Sequence, residues 1–245
     1  MTDTTLSPEL AAKEAALRGV LEACGSVAVA YSGGVDSSYL ADVAHEVLGD
    51  RALLVIADSP SIPRAELAEA RALAAARGWR LDVIQTREFD LEDYRRNDGR
   101  RCYHCKATLF STLRAHAAAR GIAAVAHGEI ADDALDPTRL GALAAREQGV
   151  RAPLAEAGLT KDDIRALSRR RGLPTWDKPS FACLSSRFPK GVALSPEDRE
   201  ALVSFMVGKI GLKYDMKNIF DMLRYFLPTP PVPVRWRRRM LAFGS

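Results

Sequence analysis

The residues able to do chemistry in this chain are a serine–glycine turn and three scattered cysteines. Residues 32–38 read Ser-Gly-Gly-Val-Asp-Ser-Ser and follow the short apolar run 27–31. A strand therefore enters the turn and a helix leaves it. Gly33 and Gly34 allow a sharp bend and a close backbone approach that any Cβ would hinder. The hydroxyls of Ser32, Ser37 and Ser38 are expected to face one point, together with the free N–H groups around Val35. Helix N-termini of this kind hold anions through aligned amides and the positive end of the dipole. The turn reads as a phosphate cradle. It lacks the Gly-Lys-Ser/Thr ending of a Walker A loop and the Gly-x-Gly-x-x-Gly of a dinucleotide fingerprint. Asp36 would repel a phosphate unless a cation intervened, so Mg²⁺ bridging Asp36 and phosphate is expected.

The cysteines leave several chemistries open. Arg101-Cys-Tyr-His-Cys-Lys106 supplies Cys102 and Cys105, and Cys183 stands apart. A lone Cys-x-x-Cys fits a redox pair, half a zinc site or part of an iron–sulfur site. The polar stretch 95–101 before it argues against a thioredoxin-type pair. A zinc site needs a fourth ligand, and His104 is awkwardly placed between the two thiols. Three thiolates at a 4Fe-4S cube would leave one corner for an exchangeable sulfide. Arg101, Lys106 and Arg187 would favour thiolates. Cys24, at the end of an apolar helix, reads as a core thiol.

These groups need a scaffold. Helical patterns cover 6–24, 37–47, 64–77, 105–120 and 160–171, and apolar strand runs cover 27–31, 52–57, 81–85 and 123–128. Ser7 and Thr160 are the expected N-caps, with Asp163 completing a capping-box-like pattern. Strands alternating with helices predict an α/β fold with a doubly wound parallel sheet. Its crevice lies at the carboxyl ends of the strands, where the cradle, residues 58–60 and residues 127–129 would meet.

At 245 residues with a net charge of +4, the chain fits one sizeable domain with an appendage. Its polar start has no apolar h-region and no stretch reaches membrane-spanning length. With four cysteines, a reducing, cytoplasmic location is expected. The clearest basic run, Arg235-Trp-Arg-Arg-Arg239, lies in the tail.

Specific likenesses follow. The Ser-Gly-Gly-Val-Asp-Ser turn resembles the PP-loop of ATP pyrophosphatases, which implies the adenine nucleotide alpha hydrolase-like sheet and cleavage of ATP between its α and β phosphates. Four further stretches occur in order: Ala57-Asp-Ser-Pro-Ser-Ile-Pro-Arg-Ala-Glu-Leu67, the Cys-x-x-Cys segment, Gly149-Val-Arg-Ala-Pro-Leu-Ala-Glu-Ala-Gly-Leu-Thr160 and Gly172-Leu-Pro-Thr-Trp-Asp-Lys-Pro-Ser-Phe-Ala-Cys-Leu-Ser-Ser-Arg187. Over about residues 6–198 the chain resembles the LarE-type ATP-dependent sulfur transferases of nickel-pincer nucleotide cofactor biosynthesis.

The resemblance implies adenylation of a carboxylate of pyridinium-3,5-biscarboxylate mononucleotide, followed by sulfur delivery, with ATP and Mg²⁺ as cofactors. Ser32, Gly33, Gly34, Val35, Asp36, Ser37 and Ser38 would hold the phosphates, and Ala57 and Ser59 would contact adenine. Cys183 would give up its own sulfur, or Cys102, Cys105 and Cys183 would carry a 4Fe-4S cluster; three cysteines favour the cluster. Arg187 is the candidate for neutralising carboxylate or phosphate charge. Asp132 and Asp133 either aid Mg²⁺ or begin a helix, His127 is a satisfied strand-end histidine, and Trp176 stacks on a base or packs its loop. A homo-oligomer is implied, with no membrane span and no nucleic-acid partner.

The implied organisation is a PP-loop domain over 6–172, a cysteine loop over 173–203 and an atypical Pro/Arg-rich tail over 204–245. The chain departs from the family at Ile130, where Asn is expected, and over 135–141. The tail also lacks the family's acidic helix and arginine-bearing strand, which predicts impaired activity if those are required. Residues 211–244 faintly resemble part of an NlpC/P60-like permuted papain family but hold no cysteine, so no hydrolase activity carries over. A PP-loop tRNA thiolase is the alternative enzyme and would need a basic RNA-binding surface. A non-catalytic ATP- or metal-binding module is the third reading.

Overall fold

A computed structural model describes residues 6–134, 140–180, 183–195 and 197. The chain divides into two compact units, Met1–Pro196 and Glu197–Ser245. The expectations for 204–245 fall outside the described residues, as does most of the divergent stretch 135–141.

Ser7 caps α1 (Pro8–Cys24), its hydroxyl accepting the Leu10 N–H at 3.2 Å. Pro8 sits in the first turn, where a missing N–H costs no helical bond. Next come β1 (Val27–Ala30), α2 (Val35–Leu48), β2 (Ala52–Asp58), α3 (Arg64–Ala76) and β3 (Leu81–Gln85). After them lie the short α4 (Glu92–Arg95), α5 (Arg101–Ala118) and β4 (Ala124–His127). The remaining helices are α6 (Ala131–Ala134), α7 (Leu140–Glu147), α8 (Pro153–Glu156) and α9 (Lys161–Arg170). Thr160 and Asp163 form the expected capping box at the start of α9. No helix among the described residues is long and apolar enough to cross a membrane.

The four strands are parallel in the order β3-β2-β1-β4, with Val29 opposite both Leu54 and Ala126. Period-two alternation divides the core between the two faces. Val27, Val29, Leu54, Ile56 and Ala126 pack with Leu17, Leu21, Leu40, Val43, Leu67 and Ile164. Ala28, Leu53, Val55 and Val125 face Phe110 and Leu113 of α5 and Ala145 of α7. Both faces are covered, which explains why the strands read as continuous apolar runs. Each fully buried Leu contributes about 2 kcal/mol of transfer free energy.

The connections fix the site. Helices α2 and α3 step the chain outward from β1 to β3 on one face, and α5 carries it back on the other to β4, beside β1. The winding direction reverses between β1 and β4, the crevice where open α/β sheets bind ligands. One boundary differs from expectation: α5 begins at Arg101 instead of residue 105. The Asp98 carboxylate accepts the Arg100 N–H at 2.7 Å and sets the chain for the helix, so Cys102 and Cys105 occupy its first turns.

Candidate functional site

The turn after β1 closes on itself through its serines. The Ser32 N–H donates to the Ser37 hydroxyl at 3.2 Å, and the two hydroxyls lie 3.0 Å apart. Gly33 takes φ = 74°, in the left-handed region. A Cβ there would lie 2.7 Å from the Ala70 Cβ of α3. Gly34 is the N-cap of α2 and supplies no side chain, so the first N–H groups of the helix have no helical acceptor. Ser38 departs from expectation. It is fully buried, close to the Tyr31 phenol, and takes no part in these bonds. Successive helical residues point about 100° apart, so Ser37 and Ser38 cannot both face the cradle.

Two neighbours complete the cradle. Gly128, just beyond β4, packs against the start of α2: a Cβ there would lie 3.1 Å from the Ser37 nitrogen and 3.3 Å from the Asp36 carbonyl carbon. Lys161, the first residue of α9, reaches across to Asp36 and donates to both carboxylate oxygens at 2.7 Å. Asp132 accepts the Lys161 N–H at 2.9 Å, which anchors the α9 start. The cradle therefore brings a cation of its own. Mg²⁺ typically takes one or two carboxylates and fills its remaining positions with phosphate oxygens and water. Asp36 beside the cradle fits that mode. At the end of β4, His127 Nε2 lies 3.2 Å from Glu129. Burial, aided by Lys106 and Arg146, pushes the imidazole pKa down to about 4. His127 is thus a neutral, satisfied histidine.

The three cysteines share one neighbourhood. Cys183 is the N-cap of a 3₁₀ turn, Leu184–Arg187, and the thiols of Cys102 and Cys183 both act electrostatically on Cys105. Burial, only partly offset by Lys106, pushes the Cys105 thiol up to about 12. Among the described residues no three His, Cys, Asp or Glu side chains are arranged to hold a metal ion. The donors fit a sulfur-ligated group in kind: three thiols on two adjoining segments. The Arg101 guanidinium donates to the Ser185 carbonyl at 2.7 Å and to Asn97 Oδ1 at 2.6 Å.

Asn97 grips the far end of the same loop. It is fully buried, holds φ = 52°, and donates its amide to the carbonyls of Pro189 at 2.8 Å and Val192 at 3.0 Å. Its own carbonyl accepts the Gly191 N–H at 2.9 Å. Arg187 is exposed and makes no hydrogen bond or ion pair among the described residues. Ala57 and Ser59 stand at the end of β2; Ser59 is buried, its hydroxyl donating to Glu88. Trp176 lies under the Arg169 guanidinium at 4.9 Å from ring centroid to Cζ. Cys24 is in the core and donates to the Val20 carbonyl, as expected of a structural thiol.

Sequence reasoning missed Lys161 and Asn97. A signal for Lys161 existed, because a cation at the first position of a helix opposes the dipole and asks for an anionic partner. Asn97 is hidden within a polar stretch.

No family model matches the chain. An uncharacterized Synechocystis protein, slr1717, is 45% identical over 169 residues, which is 69% of this chain and 63% of that protein. A pyridinium-3,5-bisthiocarboxylic acid mononucleotide synthase from Lactiplantibacillus plantarum is 35% identical over 190 residues, 77% of this chain and 68% of the synthase. The matches thus span about two thirds of each curated relative's length. Identity at that level across most of this chain, on a parallel sheet with the PP-loop turn at its switch point, places the protein in the LarE-type family of the PP-loop superfamily.

Proposed function

We propose that this protein is an ATP-dependent sulfur transferase that activates a carboxylate of pyridinium-3,5-biscarboxylate mononucleotide and converts it to a thiocarboxylate. The observation that carries the reading is the cradle: paired serine hydroxyls, free helix N–H groups and a lysine–aspartate pair at one switch point. The relative named as a synthase of the bisthiocarboxylic nucleotide supports the substrate class.

In this reading the helix N–H groups and the Ser32 and Ser37 hydroxyls bind the β and γ phosphates. Lys161 and Asp36 orient them, with Mg²⁺ neutralising part of their charge when bound. The substrate carboxylate attacks the α phosphorus, the α–β phosphoanhydride bond breaks, and pyrophosphate leaves. Arg187, exposed and without an ion pair among the described residues, offers a bidentate fork to the carboxylate as it enters.

The Cys183 thiolate then attacks the acyl carbon, and AMP leaves with the electron pair of the broken C–O bond. Loss of the Cys183 α proton and cleavage of its Cβ–S bond frees the thiocarboxylate and leaves dehydroalanine. When bound, a 4Fe-4S cluster supplies an exchangeable sulfide instead, and Cys102, Cys105 and Cys183 are the residues that would hold it.

Pyrophosphate release from ATP, measured with the biscarboxylate mononucleotide, with tRNA and with neither, tests the function. Release that depends on the nucleotide carboxylate is the expected result. Dependence on tRNA would establish the thiolase alternative, and no release under any condition would leave a binding module. Iron content after anaerobic reconstitution, read beside the mass of the Cys183 peptide after turnover, separates the two sulfur sources. Loss of one H₂S from that peptide marks the sacrificial route.

A further inference from the structure

A buried hydroxyl chain joins the end of β2 to the cysteine loop. Ser59, Ser61, Glu88, Tyr94 and Ser185 are each at most 5% exposed. The Ser59 hydroxyl donates to Glu88 and accepts the Ser61 N–H at 3.0 Å. Ser61, Tyr94 and Ser185 then form a triangle of hydroxyls, with sides of 2.6, 2.7 and 3.1 Å. The main chain follows the same seam, because the Leu184 N–H donates to the Ser61 carbonyl at 2.9 Å. Ser61 thus holds the loop through its carbonyl at Leu184 and its hydroxyl at Ser185, one and two residues after Cys183.

We propose that Tyr94 is a positioning residue for Cys183, and that the chain it centres transmits nucleotide occupancy at the end of β2 to the cysteine loop. The proposal rests on the nucleotide reading above. Its physical basis is that the network has two ways to be satisfied. In each bond of the triangle either oxygen can donate, and the Ser61 hydroxyl also reaches Glu88 Oε1 at 3.4 Å, so its one proton can serve the ring or the carboxylate. Glu88 Oε2 is buried and has no hydrogen-bond partner, which leaves a second acceptor for a hydroxyl that moves. Buried polar groups seek partners. A displacement of Ser59 is therefore taken up by exchange of partners along the chain and arrives at Ser185. Tyr94 cannot swing aside, since its ring packs edge-on against Phe89 at 5.0 Å.

The test labels the full-length protein with iodoacetamide and follows Cys183 and Cys102 separately by peptide mass. The probe is α,β-methylene-ATP, which cannot be cleaved between its α and β phosphates, and its binding is measured directly by calorimetry. Nucleotide is expected to change the Cys183 labelling rate about five-fold, the scale set by exchanging one net hydrogen bond, with Cys102 unchanged. Tyr94→Phe keeps the ring and removes the central hydroxyl. It should bind the nucleotide within about two-fold of the parent and lose the labelling response, as should Ser185→Ala if the first variant does not fold. A response that survives both substitutions overturns the coupling, because the nucleotide would then be shielding Cys183 directly. Nucleotide binding without any response in the parent overturns the coupling and leaves the functional reading standing. Absence of nucleotide binding overturns both.

Discussion

Replacing Gly33 by alanine tests whether the cradle is held against α3 as tightly as its geometry indicates. The new Cβ meets two separate penalties. The φ of 74° places an L-residue in the left-handed region, costing about 1–2 kcal/mol. The Cβ would also lie 2.7 Å from the Ala70 Cβ and 3.3 Å from its Cα, an overpacking cost of about 1–3 kcal/mol. Gly33→Ala should therefore lose about 2–5 kcal/mol in urea unfolding, with an unchanged m-value. Ala70→Gly costs about 1 kcal/mol as a glycine inside α3, and about 0.8 kcal/mol more for the buried methyl group. In the double variant the Cβ–Cβ overlap is gone, while the backbone strain and the 3.3 Å approach to the Cα of residue 70 remain. It should be more stable than the sum of the singles by about 1–3 kcal/mol, well above the scatter of independent sites. Additivity within about 0.5 kcal/mol would refute the contact. The double variant should also recover part of the nucleotide affinity that Gly33→Ala loses.

Three further outcomes follow from the site. Lys161→Met removes the ammonium bound to Asp36 and should weaken ATP binding about 10- to 100-fold, the range for a charge-assisted hydrogen bond, and affinity within two-fold of the parent by calorimetry would exclude a phosphate role. With Cys105 half-buried and pushed up to about 12, and Cys102 exposed, alkylation at pH 8 of metal-free protein should modify Cys102 well before Cys105; equal rates would show that the half-buried thiol is readily ionised. His127, pushed down to about 4 by burial, should stay neutral at pH 6 in imidazole NMR spectra. The unfolded chain binds that proton below about 6.5 and the fold resists it, so stability should fall as pH drops from about 6.5 to 4, by about 3 kcal/mol. A His127 resonance that titrates near 6.5 would contradict the burial argument.

Much of the scaffold is legible because its signals are local. Glycines between an apolar run and a helix announce the cradle, and Thr160 with Asp163 announces α9. The harder cases are those in which partners arrive from far away in the sequence. Lys161 is 125 residues from Asp36, and no periodicity links them. The α5 start is hard to read because Cys, Tyr and His are indifferent helix formers, and the turn that launches the helix depends on a side chain–backbone bond from Asp98. Ser38 is the opposite case: its residue type suits a phosphate site, and the structure shows its side chain fully buried.

The hold of Asn97 on the cysteine loop works through main-chain carbonyls at Pro189 and Val192, together with the Gly191 N–H. Every residue type except proline at the N–H position presents those atoms, so the clasp reads the path of the loop, and only the φ of 83° at Gly191 makes a demand on residue type. The exposed side chains of Lys190 and Val192 are thereby released from the duty of anchoring and can drift or be rewritten. A loop of foreign sequence and equal length over positions 189–193, with glycine kept at 191, would be seized by the same asparagine, while the Cys183 segment, held separately through Leu184 and Ser185, stays in place.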